Sequence, residues 1–262
     1  SHTDDLDVAD YVNAERAYFE RSIQHLAALR ATLANEMNAR LATSQRSTPI
    51  RIGDAFYYRE INEGTQYPIF LRTVTEIISN PQVVLDLNER GQGHEYYALG
   101  SFAISPDGQY VAFTEDFLGG GNYQLVVRDI NKNDLISTGI RHVSNSIAWS
   151  ADSQNIYYVG RAEGTGRPFQ LKILQLGKHA ADANILFTET DQHFHLAVDQ
   201  AKNGHGAILR SLSSDTSEIH LIIDDGILQL VAPRSPGHRY SIRCLAGQLF
   251  MLTNFQSGGF GL

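Results

Sequence analysis

Along the first forty residues, apolar positions recur three, four or seven apart, and Phe19, Ile23, Leu26, Leu33, Met37 and Leu41 fall on one stripe of a helix. One helix, or two in series, is predicted there. It starts near Asp7, whose carboxylate can accept from the free N–H groups of a first turn, while Asp4, Asp5 and Asp10 favour the positive end of the helix dipole. From Pro49 onward the period drops to two. Short runs rich in Val, Ile, Tyr and Phe (AFYYREI, YPIFLR, QVVLDL, YVAFTED, YQLVVRDI, NIYYVGR) are separated by Gly, Asn and Asp, the pattern of antiparallel strands joined by tight turns. All 22 Gly and all 7 Pro lie at or beyond Pro49, so composition marks the same border. A helical segment over 1–47 and a β region over 48–262 are expected.

The β region repeats. SFAISPDGQYVAFTED (101–116) and SIAWSADSQNIYYVGR (146–161) share Ser, Ala, Ser, Asp and Gln at a constant offset of 45 residues. Weaker copies, each a strand, a Gly or Asn turn and a second strand, occur in RIGDAFYYRE, HLAVDQAKNGHGAILRS and SIRCLAGQLFMLTN. Turn centres near Asp54, Gly108, Ser153, Gly204 and Gly247 are about 48 residues apart on average, the length of a four-stranded propeller blade. The predicted fold is therefore mainly β: an N-terminal helical arm followed by an incomplete β-propeller of four to five blades, near 49–99, 100–143, 144–191, 192–236 and, in part, 237–262. The alternative is an antiparallel sandwich with a chance repeat. A propeller hides its end sheets by closing into a ring, so a chain that stops inside a blade is expected to be truncated. It is also expected to self-associate through its open edges, helped by Phe250, Leu252, Phe255 and Phe260.

With 42% hydrophobic and 19% charged residues the chain is composed as a folded protein. No apolar run approaches the roughly 18 residues of a membrane helix, and SHTDDLDVAD lacks the basic start and apolar stretch of a signal peptide. Acidic residues outnumber basic ones 29 to 21, a net charge of −8 that argues against nucleic-acid partners and for cationic ones. The single cysteine, Cys244, cannot form an internal disulfide, which fits a reducing compartment. A cytoplasmic location is expected, with the periplasm left open.

Few residues suggest chemistry. His193 and His195, two apart, would share one face of a strand, where Asp191 or Glu189 could join them around a metal; a polar strand face, which needs only sheet alternation and no third ligand, is the expectation. Gly119, Gly120 and Gly121 would suit a phosphate cradle were a helix to follow, but the strand YQLVVRDI follows, so they are expected to form a hairpin turn. Asp86, Glu95, Glu115 and Asp116 would serve as an acid pair only if two of them faced one substrate; solvated carboxylates are the expectation. Cys244 lies in the alternating YSIRCLAGQLF and is expected to be buried. Tyr57, Phe102, Phe113, Trp149, Tyr157 and Phe194 are expected to pack between blades. No residue is assigned a catalytic, cofactor-binding or metal-binding role, and no cofactor is expected.

Four strings resemble the prolyl oligopeptidase family of serine peptidases, and its oligopeptidase B (protease II) branch in particular: YYREINEGTQYPIFLR (57–72), VLDLNERGQGHEYYALGSFAISPDGQYVAFTEDFLG (84–119), SNSIAWSADSQNIYYVGRAEGTGRPFQLKILQLG (144–177) and FMLTNFQSGGFGL (250–262). Gly-His-Glu-Tyr-Tyr followed by Leu-Gly and Ser-Pro-Asp-Gly is the most specific. The resemblance implies a helical segment, a seven-bladed propeller and then an α/β-hydrolase domain with a Ser nucleophile, a His base and an orienting Asp. It further implies hydrolysis of short peptides after Arg or Lys, with the propeller capping the site against folded proteins. None of the triad can be assigned here. The 262 residues contain no G-x-S-x-G elbow, and the nearest string, Gln256 to Phe260, lacks the first Gly and suggests a hairpin turn. The chain is thus expected to be an inactive propeller portion whose hydrolase domain is missing. The alternative is a non-catalytic propeller that binds a protein or peptide on its loops, its acidity recruiting basic segments.

Overall fold

The computed structural model describes residues 6–40, 44–75, 78, 80–201, 206–223, 226–245, 248–255 and 259–261. The chain divides into two compact units, residues 1–45 with 61–65, and residues 46–60 with 66–262.

The first unit is helical. Helix α1 (Leu6–Ile23) and helix α2 (Ala27–Ala39) are separated by one 3-10 turn, Gln24–Leu26, so the predicted stripe is carried by two helices in series. Within this stripe Phe19, Leu26, Leu33 and Met37 are exposed. Asp4, Asp5 and Leu41 lie outside the described residues.

Among the described residues the second unit holds five sheets; sheets 2 to 5 join consecutive strands in order. Sheet 1 contains β1 (Gln45–Arg46), β2 (Ile50–Ile52), β3 (Ala55–Ile61), β4 (Ile69–Thr73) and β5 (Gln82–Asp86), and is followed by a short helix, α3 (Leu87–Gly91). In this sheet both β1 and β2 pair with β3. Sheet 2 holds β6 (Ala98–Ile104), β7 (Tyr110–Asp116), β8 (Gln124–Asp129) and β9 (Asp134–Ser137). Sheet 3 holds β10 (Val143–Trp149), β11 (Asn155–Arg161), β12 (Pro168–Gln175) and β13 (Asn184–Thr188). Sheet 4 holds β14 (His195–Gln200), β15 (Ala207–Leu212), β16 (Ser217–Ile223) and β17 (Ile227–Ala232). Sheet 5 pairs β18 (Tyr240–Leu245) with β19 (Gln248–Thr253).

A sandwich has one core between two sheets, whereas here each neighbouring pair of sheets encloses its own. Val127, Ile147, Trp149 and Tyr158 pack between sheets 2 and 3; Tyr157, Val159, Leu196 and Leu209 pack between sheets 3 and 4; Ile219 and Ile242 pack between sheets 4 and 5. Alternate residues of β11 thus enter different cores, which is why NIYYVGR is a continuous apolar run: both faces of the strand are covered. The first strands lie side by side. Trp149 Nε1 on β10 donates to the Ala103 carbonyl on β6 at 3.0 Å, and on the other flank Ser146 Oγ donates to the Val198 carbonyl on β14 at 2.6 Å. This is the radial arrangement of an incomplete β-propeller, and among the described residues the ring is not closed.

The repeated sequence is a repeated hydrogen-bond device. Between β6 and β7, Ser105 Oγ donates to Asp107 at 2.6 Å and accepts from the Tyr110 N–H at 2.9 Å, while Asp107 accepts from the Gln109 N–H at 3.0 Å. Between β10 and β11, Ser150, Asp152, Gln154 and Asn155 make the same bonds at 2.5, 2.8 and 2.9 Å. The tip needs a left-handed residue, supplied by Gly108 (φ 69°) in one copy and Ser153 (φ 64°) in the other. The turns around Gly204 and Gly247 lie outside the described residues.

The Leu-Gly that follows Gly-His-Glu-Tyr-Tyr marks a bulge. Strand register slips between Leu99 and Ser101, and a Cβ on Gly100 would stand 2.5 Å from Thr114 Oγ1 and 2.6 Å from a Tyr123 ring carbon. Gly100→Ala is therefore expected to cost about 1–3 kcal/mol in denaturant unfolding, since Thr114 Oγ1 is held by the Ser101 N–H at 2.8 Å and cannot give way freely.

Candidate functional site

The second strand of each of sheets 2, 3 and 4 runs out at one end of the sheets, and the loops there carry most of the residues nominated by the sequence. Two arginine–carboxylate centres organise this end.

The first forms where α3 meets β7. Asp86 caps α3, accepting from the N–H groups of Asn88 and Glu89, and the Asn88 side chain exchanges hydrogen bonds with the Tyr67 backbone at 3.0 and 2.8 Å. The helix so fixed aims Arg90 at Glu115. Its Nε and terminal nitrogen donate to the two carboxylate oxygens at 3.0 and 2.6 Å, and Gln124 Nε2 adds a third bond at 3.0 Å. The hydrogen bond to Glu115 raises the Arg90 pKa further, against the cost of burial.

The second centre joins sheets 3 and 4 to the segment before β18. Glu189 accepts from Arg234 at 2.7 Å, from the Ser211 hydroxyl and from the Asp191 N–H at 2.9 Å. Arg234 also reaches Glu218 at 3.4 Å and lies 3.7 Å over the Phe194 ring. Burial pushes the Glu189 carboxyl upward, but Arg234, Ser211 and the Asp191 N–H together outweigh it and hold its pKa below the ordinary glutamate value. Arg167 ties the same loop by donating to the carbonyls of Glu189, Asp191 and Phe194.

Against this geometry several expectations change. Glu115 and Asp116 are not solvated: they are 0% and 2% exposed, because Arg90 and loop amides take the place of water. Asp116 accepts from the N–H groups of Leu118, Gly119 and Gly121 at 2.8, 3.2 and 2.7 Å, so the amides a phosphate would need already hold a carboxylate. Asp86 serves its cap, and Glu95 is exposed. His193 does not share a strand with His195. Asp191 captures the His193 N–H in a turn at 2.9 Å and its ring at the same distance, and β14 begins only at His195. Among the described residues no group of three or more His, Cys, Asp or Glu is placed to hold a metal. Cys244 is only half-buried, since it lies in the two-stranded sheet 5 where cover is thinner. Tyr57, Phe113, Trp149 and Tyr157 lie in the inter-sheet cores, Phe102 stacks on Phe70 at 4.3 Å, and Phe194 lies under Arg234. Ser257 and the neighbouring Gln256 and Gly258 lie outside the described residues.

The arginines that organise this end were not singled out from the sequence. The only local trace was Arg90, one helical turn after the capping Asp86. The arrangement ties these loops to one another by hydrogen bonds, with every nominated carboxylate except Glu95 already engaged.

The fold is shared with solved peptidases. Oligopeptidase B from Leishmania major superposes with a TM-score of 0.86 at 24% identity, over 97% of this chain and 37% of that one. Oligopeptidase B from Trypanosoma brucei, solved with covalently bound antipain, gives 0.82 at 23% identity, over 96% and 36%. Among curated proteins, Protease 2 of Moraxella lacunata is 28% identical over 261 residues, 96% of this chain and 38% of its own length. Dipeptidyl aminopeptidase BI of Pseudoxanthomonas mexicana is 24% identical over 261 residues, 93% and 36%. The chain therefore spans little more than a third of the length of these relatives. Residues 2–260 match the family model described as the N-terminal beta-propeller domain of prolyl oligopeptidase, and the chain belongs to that peptidase family.

Proposed function

We propose that these residues are the substrate-filtering propeller of a serine oligopeptidase resembling oligopeptidase B, which as a whole protein cleaves short peptides after Arg or Lys. The observation that carries this reading is the match to Protease 2 along 96% of the chain. In this reading a Ser nucleophile, a His base and an orienting Asp belong to a hydrolase domain beyond Leu262, and the propeller excludes folded proteins from them. The paired arginines and carboxylates suit that task, because a filter discriminates by size only if its loops do not yield. A cytoplasmic setting belongs to the same proposal, supported by the single cysteine.

A serine-directed covalent probe tests it. Residues 1–262 are expected to remain unlabelled: Ser105 and Ser150 are 0% and 4% exposed, and their hydroxyls are bound to Asp107 and Asp152 within turns. Stoichiometric labelling of either would overturn the proposal. So would a reading frame that stops after a few more blades without a G-x-S-x-G elbow.

Self-association is a second part of the proposal. Sheet 5 has two strands among the described residues, and Leu249, Phe250 and Leu252 on β19, with Phe255 and Phe260 after it, are exposed. Light scattering across a dilution series is expected to show a concentration-dependent dimer, and a monomer at every concentration would refute it.

A further inference from the structure

Among the described residues His220, on β16, is the only buried histidine, at 9% exposed. Strand pairing explains why it lies inside. Its cross-strand partners are Leu209 on β15 and Leu230 on β17, and Ile222 follows two residues along the same face, the one that packs on sheet 3. From sheet 3 the Phe187 ring on β13 covers the imidazole, the ring centroids 5.4 Å apart.

Two features make this a poor place for a group that takes up charge. Nδ1 of the ring is buried with no hydrogen-bond partner among the described residues. A neutral imidazole can keep its proton on Nε2 and leave Nδ1 only an unused lone pair, whereas protonation puts an N–H and a positive charge there with no acceptor. The charged neighbours do not supply one. Glu218, two residues back on the same face, is engaged by Arg234 at 3.4 Å, and Glu189, beyond it, is engaged by Arg234 and Ser211. Strands β13 and β17 carry no charged residue. Lys172 on β12 and Arg210 on β15 pair with Tyr158 and Ile219, whose side chains enter the neighbouring cores, Asp199 on β14 is bound to Arg210, and Tyr157 on β11 faces this core as a phenol. Burial holds the His220 pKa below the ordinary histidine value; Glu218 pulls it up and Arg234 presses it down, each by less.

We infer that His220 is a pH-sensitive latch between sheets 3 and 4: as pH falls through and below the range in which a free histidine titrates, the ring takes a proton, leaves Phe187 for water and loosens β13 from β16. The unfolded chain binds this proton more readily than the native one, so the stabilisation is complete above about pH 6.5 and is lost as pH falls towards the lower native pKa. The latch is independent of the peptidase reading, since it requires only the packing of these two sheets.

Urea unfolding of the 262-residue chain, followed by circular dichroism at about pH 7.5 and about pH 5.5, tests the latch against His220→Phe, which takes no proton and leaves no orphaned nitrogen. Both conditions lie above the range in which Glu189 protonates, and the other histidines cancel in the comparison. Between the two, the unfolding equilibrium constant is expected to rise about threefold to tenfold more for the native sequence than for the variant. Hydrogen exchange read by mass spectrometry and corrected for the intrinsic rate locates the effect. Protection of β13 and β16 relative to β7 is expected to fall at the lower pH in the native sequence and to stay unchanged in His220→Phe. An equal change in both proteins, or a loss of protection no greater in β13 and β16 than in β7, overturns the inference. Should His220→Phe fail to fold, His220→Gln, which is permanently uncharged, decides in its place.

Discussion

Trp149→Ala is expected to lower stability by about 3–5 kcal/mol, the range for truncating a large, fully buried aromatic. Trp149 is 0% exposed and stands where three sheets meet. Its ring fills the core between sheets 2 and 3, its Nε1 donates to Ala103 on sheet 2, and its backbone N–H and C=O bond to the Gln200 side chain on sheet 4 at 2.7 and 3.1 Å. The truncation leaves a cavity and removes the indole's bond to the Ala103 carbonyl, and the surrounding strands are too constrained by their ladders to collapse into it. Trp149→Phe, which keeps most of the volume and loses the hydrogen bond, should cost about 1–3 kcal/mol. Since Trp149 is the only tryptophan, the unfolding must be followed by circular dichroism rather than by indole fluorescence.

Glu189→Ala should cost a similar amount, about 3–5 kcal/mol, through a different cause: it strands the Arg234 guanidinium with Glu218 alone. This pair also predicts a pH dependence. The native Glu189 carboxyl titrates below its unfolded value, so the unfolded chain binds the proton more readily. The stabilisation is complete above the ordinary glutamate range, near pH 4.3, and is lost as pH falls through the lower native pKa. Urea midpoints measured from about pH 6 to about pH 3 should therefore fall more steeply for the native sequence than for Glu189→Gln. Parallel curves would show that the pair contributes nothing to acid stability.

How far the sequence reveals this protein depends on whether the information is local. The Ser, Asp and Gln positions at an offset of 45 were visible because each turn is closed by bonds within five residues, so the same letters build the same device twice. Strands buried on both faces were visible as apolar runs, and the family strings map onto α3, the Gly100 bulge and these turns. The carboxylate centres were not. Glu115 finds Arg90 25 residues away and Glu189 finds Arg234 45 residues away, partners that no periodicity encodes. His193 was misplaced for the opposite reason: an Asp two residues before it captures its amide, a local competition that strand alternation ignores.

The most direct measurement is peptide hydrolysis, read by mass spectrometry, for residues 1–262 and for the protein extended as its gene encodes it. Peptides of increasing length with a single internal Arg or Lys, and one folded protein, serve as substrates. The expected result is cleavage after Arg or Lys in the short peptides by the extended protein only, with the folded protein left intact. Probe-sensitive turnover by residues 1–262 alone, or cleavage of the folded protein as fast as of the peptides, would contradict the proposed role of these sheets as a non-catalytic filter.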